Sequence, residues 1–320
     1  VAIYGTGNVS AMRVTATMTD VNTGARLAAY RDMVYVSENV LGDWQAAGYT
    51  VATPAAASRI WTSGVYGYTP YAFTFVGNHA LLAAERSGIM MWDTTVPSSP
   101  GVVAPGYVNV PGGYAWSVAV SGQYALIGTS SSYLDVIDLS YPNNMVPTGS
   151  VQTQGTVSSS REAVGLAVLG NYVFAANEQA GLRVVDISDP AWPQALAGYG
   201  APGGSTDAVA VYGSYVLTAD STGGLKVYDA TSVASWSASG QAAIFTSGAP
   251  ATDLAVRGNF AYVARGSSGL QVWDISDPRN PVLVGTLIET GFAPLRLTVY
   301  KGFLYAIDGT SKLYVVTLIS

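Results

Sequence analysis

A repeated strand–turn–strand pattern is the feature that most constrains the fold of this 320-residue chain. Its clearest copy runs from Gly269 to Gly285, GLQVWDISDPRNPVLVG, where near-alternating apolar residues lead into a turn with Asp and Pro and resume after it. The alternation indicates a β-strand, and the Asp and Pro residues indicate a tight turn that ends it. Related copies are GIMMWDTTVP from Gly88, YLDVIDLSYP from Tyr133, GLRVVDISDPAWP from Gly181, GLKVYDATS from Gly224 and, degenerate, KLYVVTLIS from Lys312.

A two-residue turn followed by a large residue precedes each copy. Gly-Asn and related pairs supply the positive φ that a short hairpin needs. The large residues after these turns recur at intervals of 43 to 48 residues and mark seven units. They are Met33, His79, Tyr124, Tyr172, Tyr215, Phe260 and Phe303. Each unit is therefore assigned a strand a before this turn, a strand b after it, a strand c such as GLQVWD and a strand d such as PVLVG.

Four strands in a unit of roughly 40 to 50 residues are typical of β-propeller blades. Helical solenoids share this period, but the units are rich in Val, Tyr, Gly and Thr and have hairpin turns instead of helix caps. We therefore predict an all-β fold, a seven-bladed β-propeller. Only 17 residues follow Phe303, enough for strands b and c but not d. The alternating segment Met12 to Met18, within the N-terminal region 1–24, is predicted to complete the last blade, which removes open sheet edges.

No linker or low-complexity tract interrupts the units, so residues 1–320 are predicted to form one domain. In the first unit, ENVLGDWQAAGYTVATP replaces the expected strand c, and Ser58 to Thr62 is the final strand. The Ser-rich connection from Thr153 to Glu162 is expected to be mobile. Val1 to Tyr4 is a spare apolar strand, either an extra edge strand or packed terminus, or a segment that pairs with a neighbouring molecule.

Composition excludes several classes of function. A net charge of −6 with few lysines leaves no basic stripe for a nucleic-acid partner. No apolar run reaches the ~18 residues of a membrane span. The lack of cysteine excludes disulfides and thiolate sites, and a lone histidine, His79, argues against a Ser-His-Asp triad or a His-rich zinc site. We predict no cofactor and no metal.

The abundance of Gly, Ser, Thr and Tyr with little Lys and Glu is typical of an extracellular or envelope protein. The N-terminal VAIYGTG has neither Met nor a leader, as expected of a mature or trimmed chain. The aspartate pairs Asp186/Asp189 and Asp274/Asp277 would suit either calcium or the capping of local turns. We favour turn capping.

The strings GLRVVDISDPAWP and GLQVWDISDPRNPVLVG resemble the repeat of the LVIVD family of bacterial and archaeal propellers. The resemblance is closest in units four and six, weaker in three and five, weaker still in two, and rests on spacing alone in one and seven. It implies a propeller, commonly exported or surface-associated, and offers no catalytic residues to transfer. VWD at the end of strand c also looks like the WD repeat, but the Gly-His partner of that motif is missing.

Candidate ligand-binding residues are placed where strand a begins, because ligands of propellers with this topology commonly sit at the mouth of the central channel. The mixed charges there would bind a sugar, a peptide or an ion, or would pair with each other and close the channel. These residues are Tyr71, Trp116, Arg161, Glu162, Asp207, Asp253 and Arg296. An aromatic cluster from loops on the same face, either a binding surface or part of the core, contains Tyr66, Tyr68, Tyr71, Tyr114 and Trp116.

The function that we predict is that of an exported, non-catalytic binding or structural module at a cell surface or in an extracellular assembly, with a protein or a glycan as partner. One alternative is a glycan-processing enzyme that uses Glu162, Asp207 or Asp253 with Arg161 or Arg296. Such an enzyme would need two carboxylates about 5 to 10 Å apart in an open pocket. Another alternative is a polymer subunit whose Val1–Tyr4 segment adds a strand to the next molecule.

Overall fold

The structure is a computed structural model that describes residues 2–3, 12–19, 23–41, 43–53, 56–63, 70–86, 88–153, 165–199, 204–236, 243–309 and 312–318. These residues form seven antiparallel sheets, one for each predicted unit. Each sheet has four strands in the order a, b, c, d, and the sixth has a fifth strand at its edge. The fold is a seven-bladed β-propeller, as the sequence predicts.

The strands follow chain order. Two precede the first complete blade: β1 Ala2–Ile3 and β2 Arg13–Met18. Blade 1 contains β3 Thr23–Tyr30, β4 Met33–Val40, β5 Asp43–Thr50 and β6 Ser58–Thr62. Blade 2 contains β7 Ala72–Val76, β8 His79–Ala83, β9 Ile89–Asp93 and β10 Gly101–Val108. Blade 3 contains β11 Ala115–Ser121, β12 Tyr124–Thr129, β13 Tyr133–Asp138 and β14 Val146–Gln152.

The later blades repeat this order. Blade 4 contains β15 Gly165–Leu169, β16 Tyr172–Ala176, β17 Leu182–Asp186 and β18 Gln194–Tyr199. Blade 5 contains β19 Thr206–Tyr212, β20 Tyr215–Asp220, β21 Gly224–Asp229 and β22 Phe245–Thr246. Blade 6 contains β23 Asp253–Arg257, β24 Phe260–Ala264, β25 Leu270–Asp274 and β26 Val282–Ile288. Blade 7 contains β27 Arg296–Tyr300, β28 Phe303–Ile307 and β29 Leu313–Thr317. Short 3-10 helices span Pro142–Asn144, Val233–Ser235 and Gly266–Ser268.

The hairpins that join strands a and b have the predicted turn chemistry. In blades 2 to 6 a glycine occupies the first central position of the turn with φ between 53° and 57°. Glycine adopts this left-handed conformation without steric cost, so each turn closes in two residues. In blade 1, Arg31 and Asp32 take φ values of 49° and 61° in the same role.

Strands b and c supply most of the core. In β8, for example, every residue from Ala80 to Ala83 is buried, and the largest fully buried side chains include Trp92, Tyr35 and Phe174. Strand d is more exposed, as shown by β14, where four positions are exposed, three are partly buried and none is fully buried. The apolar residues of strands b and c thus pack between neighbouring sheets, which places loops and turns at the rims.

The last blade is closed by the N-terminal strand, as predicted. Strand β2 pairs antiparallel with β29, with Arg13 opposite Thr317 and Met18 opposite Leu313. It therefore takes the strand-d position of blade 7. Strand β1 pairs with β26, where Ala2 lies opposite Ile288, and extends blade 6 by one short strand. This arrangement corresponds to the extra edge strand, and it gives no support to pairing with a neighbouring molecule.

The first unit has a regular strand c in spite of its unusual sequence. Strand β5 pairs with β4 along its whole length, from Val40 opposite Asp43 to Met33 opposite Thr50. Its final strand, Ser58–Thr62, is confirmed. The Ser-rich connection of unit four lies outside the described residues except for Thr153.

Inter-residue contacts divide the chain into two compact units. One contains blades 1, 6 and 7 together with Pro97–Ser99, and the other contains the rest of the segment from Pro70 to Ala249, that is, blades 2 to 5. The assignment of residues 1–320 to one domain stays a prediction. Within the described part of the chain, no helix is long and apolar enough to cross a bilayer.

Candidate functional site

Asp253 and Arg296 are two charged channel-mouth candidates that the structure brings together. Each is the first residue of a strand a, in blades 6 and 7. Asp253 accepts hydrogen bonds from the backbone N–H of Leu254 at 2.8 Å and of Leu297 at 2.7 Å. Arg296 donates through Nη1 to the carbonyl oxygens of Thr252 and Leu295, both at 3.0 Å. The two side chains therefore join the inner strands of adjacent blades through backbone groups.

The electrostatic surroundings of Asp253 fit this structural role. Burial raises the pKa of its carboxyl group, while the guanidinium of Arg296, the two backbone N–H donors and the charge of Arg26 act to lower it. Its donors are backbone groups fixed by the sheet, so the carboxylate is held in place by the fold itself. Asp253 thus connects its own strand, β23, to β27 of the next blade through the N–H of Leu297.

The remaining charged candidates lie in other parts of the chain. Asp207 lies in blade 5 and accepts a hydrogen bond from the hydroxyl of Ser205, two residues before it. Arg161 and Glu162 lie outside the described residues. Of the charged candidates that the structure describes, Asp253 and Arg296 thus connect blades 6 and 7, and Asp207 is bonded to a nearby serine in its own blade.

The predicted aromatic cluster contains a packed pair and an exposed ring. Tyr71 and Trp116 are half-buried, with ring centroids 3.9 Å apart and ring planes tilted by 38°. Tyr114 is 40% exposed, and the guanidinium carbon of Arg86 lies 5.3 Å from its ring centroid. Tyr66 and Tyr68 lie outside the described residues. The pair packs blade 2 against blade 3, and Tyr114 presents a ring to solvent.

The aspartates after strand c cap their own turns. Asp186 accepts a hydrogen bond from the backbone N–H of Ser188 at 2.8 Å, and Asp274 accepts one from Ser276 at 2.9 Å. Asp277 is bonded in the same manner by the N–H of Arg279. Among the described residues, no three side chains of His, Cys, Asp or Glu are grouped so as to hold a metal ion.

A groove between blades 3 and 4 was missed by the sequence analysis. Its cavity of about 400 Å³ lies between β14 and the segment that joins β17 to β18. We call it the proline–tryptophan groove, and its lining residues are Pro111, Pro147, Thr148, Gly149, Ser150, Ala191 and Trp192. Trp192 is 74% exposed. The signal in the sequence is Pro-Ala-Trp-Pro, a large aromatic residue between two prolines in an exposed turn.

The groove exists because the turn of blade 4 lies directly on blade 3. A Cβ atom added to Gly149 would lie 2.2 Å from the carbonyl oxygen of Pro190, so glycine is required for this approach. Both hydroxyl groups in the groove are already bonded within blade 3: Thr148 donates to the carbonyl of Val146 at 3.1 Å and Ser150 to the carboxylate of Asp135. The groove therefore offers mainly apolar surface.

The family model for the LVIVD repeat matches four segments of the chain, residues 112–153, 160–199, 203–235 and 248–288. The chain thus carries four LVIVD repeats within a seven-bladed β-propeller. The matched segments correspond to blades 3 to 6, where the sequence motif is closest to the family pattern. A search of curated protein sequences found no match.

Solved structures similar to this LVIVD-repeat propeller are themselves distant in sequence. The mitotic checkpoint complex contains a chain that matches with a TM-score of 0.69 at 12% identity, over 99% of this chain and 94% of that one. The Pan2 WD40 domain of Neurospora crassa matches with 0.68 at 12% identity, over 99% and 98%. The computationally designed Ika8 protein matches with 0.63 at 12% identity, over 92% and 83%. At this identity, the likeness establishes the fold alone.

Proposed function

We propose that this LVIVD-repeat propeller is an exported, non-catalytic binding module that acts at a cell surface or in an extracellular assembly. We further propose that it holds a segment of a partner protein in the proline–tryptophan groove. The observation that carries the proposal is Trp192, which is 74% exposed beside a cavity of about 400 Å³. Exposed tryptophan is costly to leave in water and is enriched among the residues that dominate protein interfaces.

A protein segment suits the groove better than a glycan does. The hydroxyl groups of Thr148 and Ser150 are bonded to the chain itself, and none of the described residues that line the groove is charged. Sugar hydroxyls would therefore find few free polar partners. Grooves lined by aromatic side chains accept proline-rich segments in the polyproline II conformation, which are extended before binding and lose little entropy.

The charged residues at the starts of strand a support a non-catalytic role. The carboxylate of Asp253 is bonded to two backbone N–H groups, and Arg296 is bonded to two carbonyl oxygens. A catalytic acid or base must instead reach the substrate. The glycan-processing enzyme stays the alternative hypothesis, and an Asp253→Asn variant that abolished hydrolysis of a bound oligosaccharide would favour it.

Export rests on composition, which is rich in Gly, Ser, Thr and Tyr and poor in Lys and Glu. The test is protease treatment of intact cells of the source organism, followed by immunodetection of the chain. Cleavage in intact cells is expected. Protection that is lost only after lysis would place the chain inside the cell.

Binding to the groove is tested by isothermal titration of decaproline into the purified chain and into a Trp192→Ala variant. Decaproline should bind the first and not the second. Tyr141→Ala is the matched control, because Tyr141 is also 74% exposed, in the corresponding segment of blade 3, but does not line the groove. Binding that is unchanged in Trp192→Ala would refute the site, and Trp192-dependent binding of maltohexaose or chitohexaose would replace the protein partner with a glycan.

A further inference from the structure

Two pairs of successive blades share one kind of contact. In each, the segment between strands c and d of one blade lies against the third residue of strand b in the blade before it. The hydroxyl of Tyr35 in blade 1 donates to the carbonyl of Pro97 in the segment of blade 2, at 3.2 Å. Phe174 in blade 4 packs against Trp236 in the segment of blade 5, with ring centroids 5.7 Å apart.

The corresponding residues of blades 2 and 3 share one apolar cluster. Leu81 is the third residue of β8, and Met145, in the same cluster, precedes strand d of blade 3. Met145 and Trp236 thus bring apolar side chains to this place, and Pro97 brings a backbone carbonyl.

Blade 7 has no segment of this kind, because its strand d is β2 from the other end of the chain. The third residue of strand b in blade 6 is Tyr262, and it lines a cavity of about 580 Å³ that also reaches blade 7. We call this cavity the seam pocket. Met12 and Leu318 pack in the same apolar cluster as Tyr262 and cover part of the surface that a segment would cover.

The seam pocket has an apolar floor, and its lining carries one cation, Arg257, and one carboxylate, Asp274, which accepts a hydrogen bond from the backbone N–H of Ser276. Phe260 and Leu318 are partly buried apolar residues of its lining. Arg257, the last residue of β23, is exposed at the rim, and within the described part of the chain it has no hydrogen-bond or ion-pair partner. Burial raises the pKa of the Tyr262 phenol, and the nearby charge of Arg257 opposes this shift. The phenol is therefore protonated at neutral pH and can donate a hydrogen bond.

The repeats of the chain show which ligand chemistry would fit. Two of the segments between strands c and d carry Ser-Asp-Pro, at Ser188–Pro190 and Ser276–Pro278. Such a segment brings a proline ring for an apolar floor and a carboxylate for a cation. We infer that the seam pocket binds a short peptide segment of a partner protein with an acidic residue next to proline, in the place that the chain's own segments occupy between other blades.

In this arrangement the acidic side chain pairs with Arg257 and the proline ring packs on Phe260. The inference uses a different part of the molecule from the proline–tryptophan groove. It therefore stands or falls independently of the proposed function.

The test uses a synthetic peptide copied from Ile187–Pro193, ISDPAWP, labelled with a fluorophore and titrated with the full chain while anisotropy is recorded. Arg257→Ala should weaken binding about tenfold, the size expected for one charge-assisted hydrogen bond. Arg279→Ala is the matched control, because Arg279 is an exposed arginine of the same blade outside the pocket. Ser276→Trp, which adds bulk to the lining, should abolish binding.

The peptide ISNPAWP provides a second comparison. If Arg257 recognises the carboxylate, the change from Asp to Asn in the peptide should cost about tenfold with the original chain and nothing further with Arg257→Ala. Equal affinity of the two peptides for the original chain, or no binding of either at about 1 mM, would overturn the inference.

Two other occupants would also overturn it. If the peptide binds only after residues 319–320 are removed, the chain's own end fills the pocket. If light scattering shows a dimer that dissociates in Arg257→Ala, the occupant is a second copy of this chain.

Discussion

Blades 3 and 4 are joined by a segment of blade 4 itself, whereas blades 6 and 7 are joined with the help of a strand from the other end of the chain. In the first case the turn at Pro190 lies so close to β14 that only glycine is tolerated at position 149. In the second, β2 supplies the outer strand and Met12 is fully buried beside it. In the last blade, the paired strand β2 thus takes the place of the segment between strands c and d that packs on the preceding blade elsewhere.

The difference shows where a repeat protein can have a cavity that its other repeats lack. Each internal blade inherits its contacts from the repeat, and between blades 3 and 4 the third residue of strand b, Leu126, shares an apolar cluster with Ile187 of the next segment. The closing blade does not inherit the segment, and the cavity beside Tyr262 remains. The position of this cavity follows from the order of the strands. Its chemistry depends on the residues that line it, above all Arg257.

The largest expected effect is at the closing strand. Met12→Ala should lower the free energy of unfolding by about 2 to 5 kcal/mol, because a fully buried side chain leaves a cavity among β2, β25 and β29. Urea denaturation measures the change, and Arg13→Ala, an exposed neighbour on the same strand, is the control. If Met12→Ala and Arg13→Ala unfold at the same urea concentration, Met12 does not anchor the closure.

Met145→Ala in the segment of blade 3 sharpens the comparison. Met145 is buried in the cluster that joins blades 2 and 3, as Met12 is in the cluster that joins blades 6 and 7. A loss of similar size, about 2 to 5 kcal/mol by the same denaturation experiment, is expected. A negligible loss would show that only the closing seam depends on such an anchor.

A smaller effect is expected where the segment lies on blade 3. Gly149→Val should cost about 1 to 3 kcal/mol, because its Cβ would meet the backbone oxygen of Pro190 and force the turn away. Gly101→Val is the matched control, since a Cβ at that strand-d glycine meets nothing within 4 Å. Thermal unfolding of both variants gives the measurement. Equal stability would contradict the close approach.

Blades 5 and 6 differ at one equivalent position near the end of strand b. Asp220 is the last residue of β20 in blade 5, and Arg265 follows β24 in blade 6. The difference leads to a prediction about the pH dependence of stability. Burial acts to raise the pKa of Asp220, but hydrogen bonds from Lys226, Gly223 and Thr222 outweigh it and lower the pKa. In blade 6 the equivalent residue is Arg265, which donates to the carbonyl of Pro250.

A lowered folded-state pKa means that Asp220 contributes stability above its unfolded pKa and loses it as pH falls through the folded pKa. Asp220→Asn should therefore cost about 1 to 2 kcal/mol at pH 7, and its difference from the original chain should shrink below about pH 4. Denaturation at several pH values measures this. A difference that does not change with pH would show that the ionised form of Asp220 is not the stabilising one.

The smallest effect is expected for the exposed pair between blades 7 and 1. Lys301 lies 2.8 Å from Asp32, with 61% and 43% of the two side chains exposed. Solvent screens such a pair and both side chains lose entropy in forming it, so Lys301→Ala should leave the melting temperature unchanged within error. A clear fall in a thermal scan would mean that surface charges, and not buried apolar anchors, hold this seam.

The spacing of turn and motif was sufficient to predict seven blades, because each blade repeats the same local chemistry. The short C-terminal unit also indicated that Met12 to Met18 closes the ring. The proline–tryptophan groove was not predicted, since it depends on Pro190 approaching Gly149 across two blades. Likewise, Asp253 was placed correctly at the start of strand a, but its bond to the N–H of Leu297 follows from the register of blade 7.

Closure of blade 7 by β2 is tested most directly by an engineered disulfide between residues 13 and 317. The chain has no cysteine, so the variant Arg13→Cys/Thr317→Cys contains only the intended pair. The two residues are directly opposed in the β2–β29 pairing. Opposed residues of antiparallel strands have Cα atoms about 4.5 to 5.5 Å apart, within the range of about 4.4 to 6.8 Å that disulfides span. Arg13→Cys/Ser150→Cys is the control. The predicted result is an intramolecular cross-link and a higher melting temperature in the first variant only; cross-linked dimers, or no cross-link under oxidising conditions, would contradict the closure.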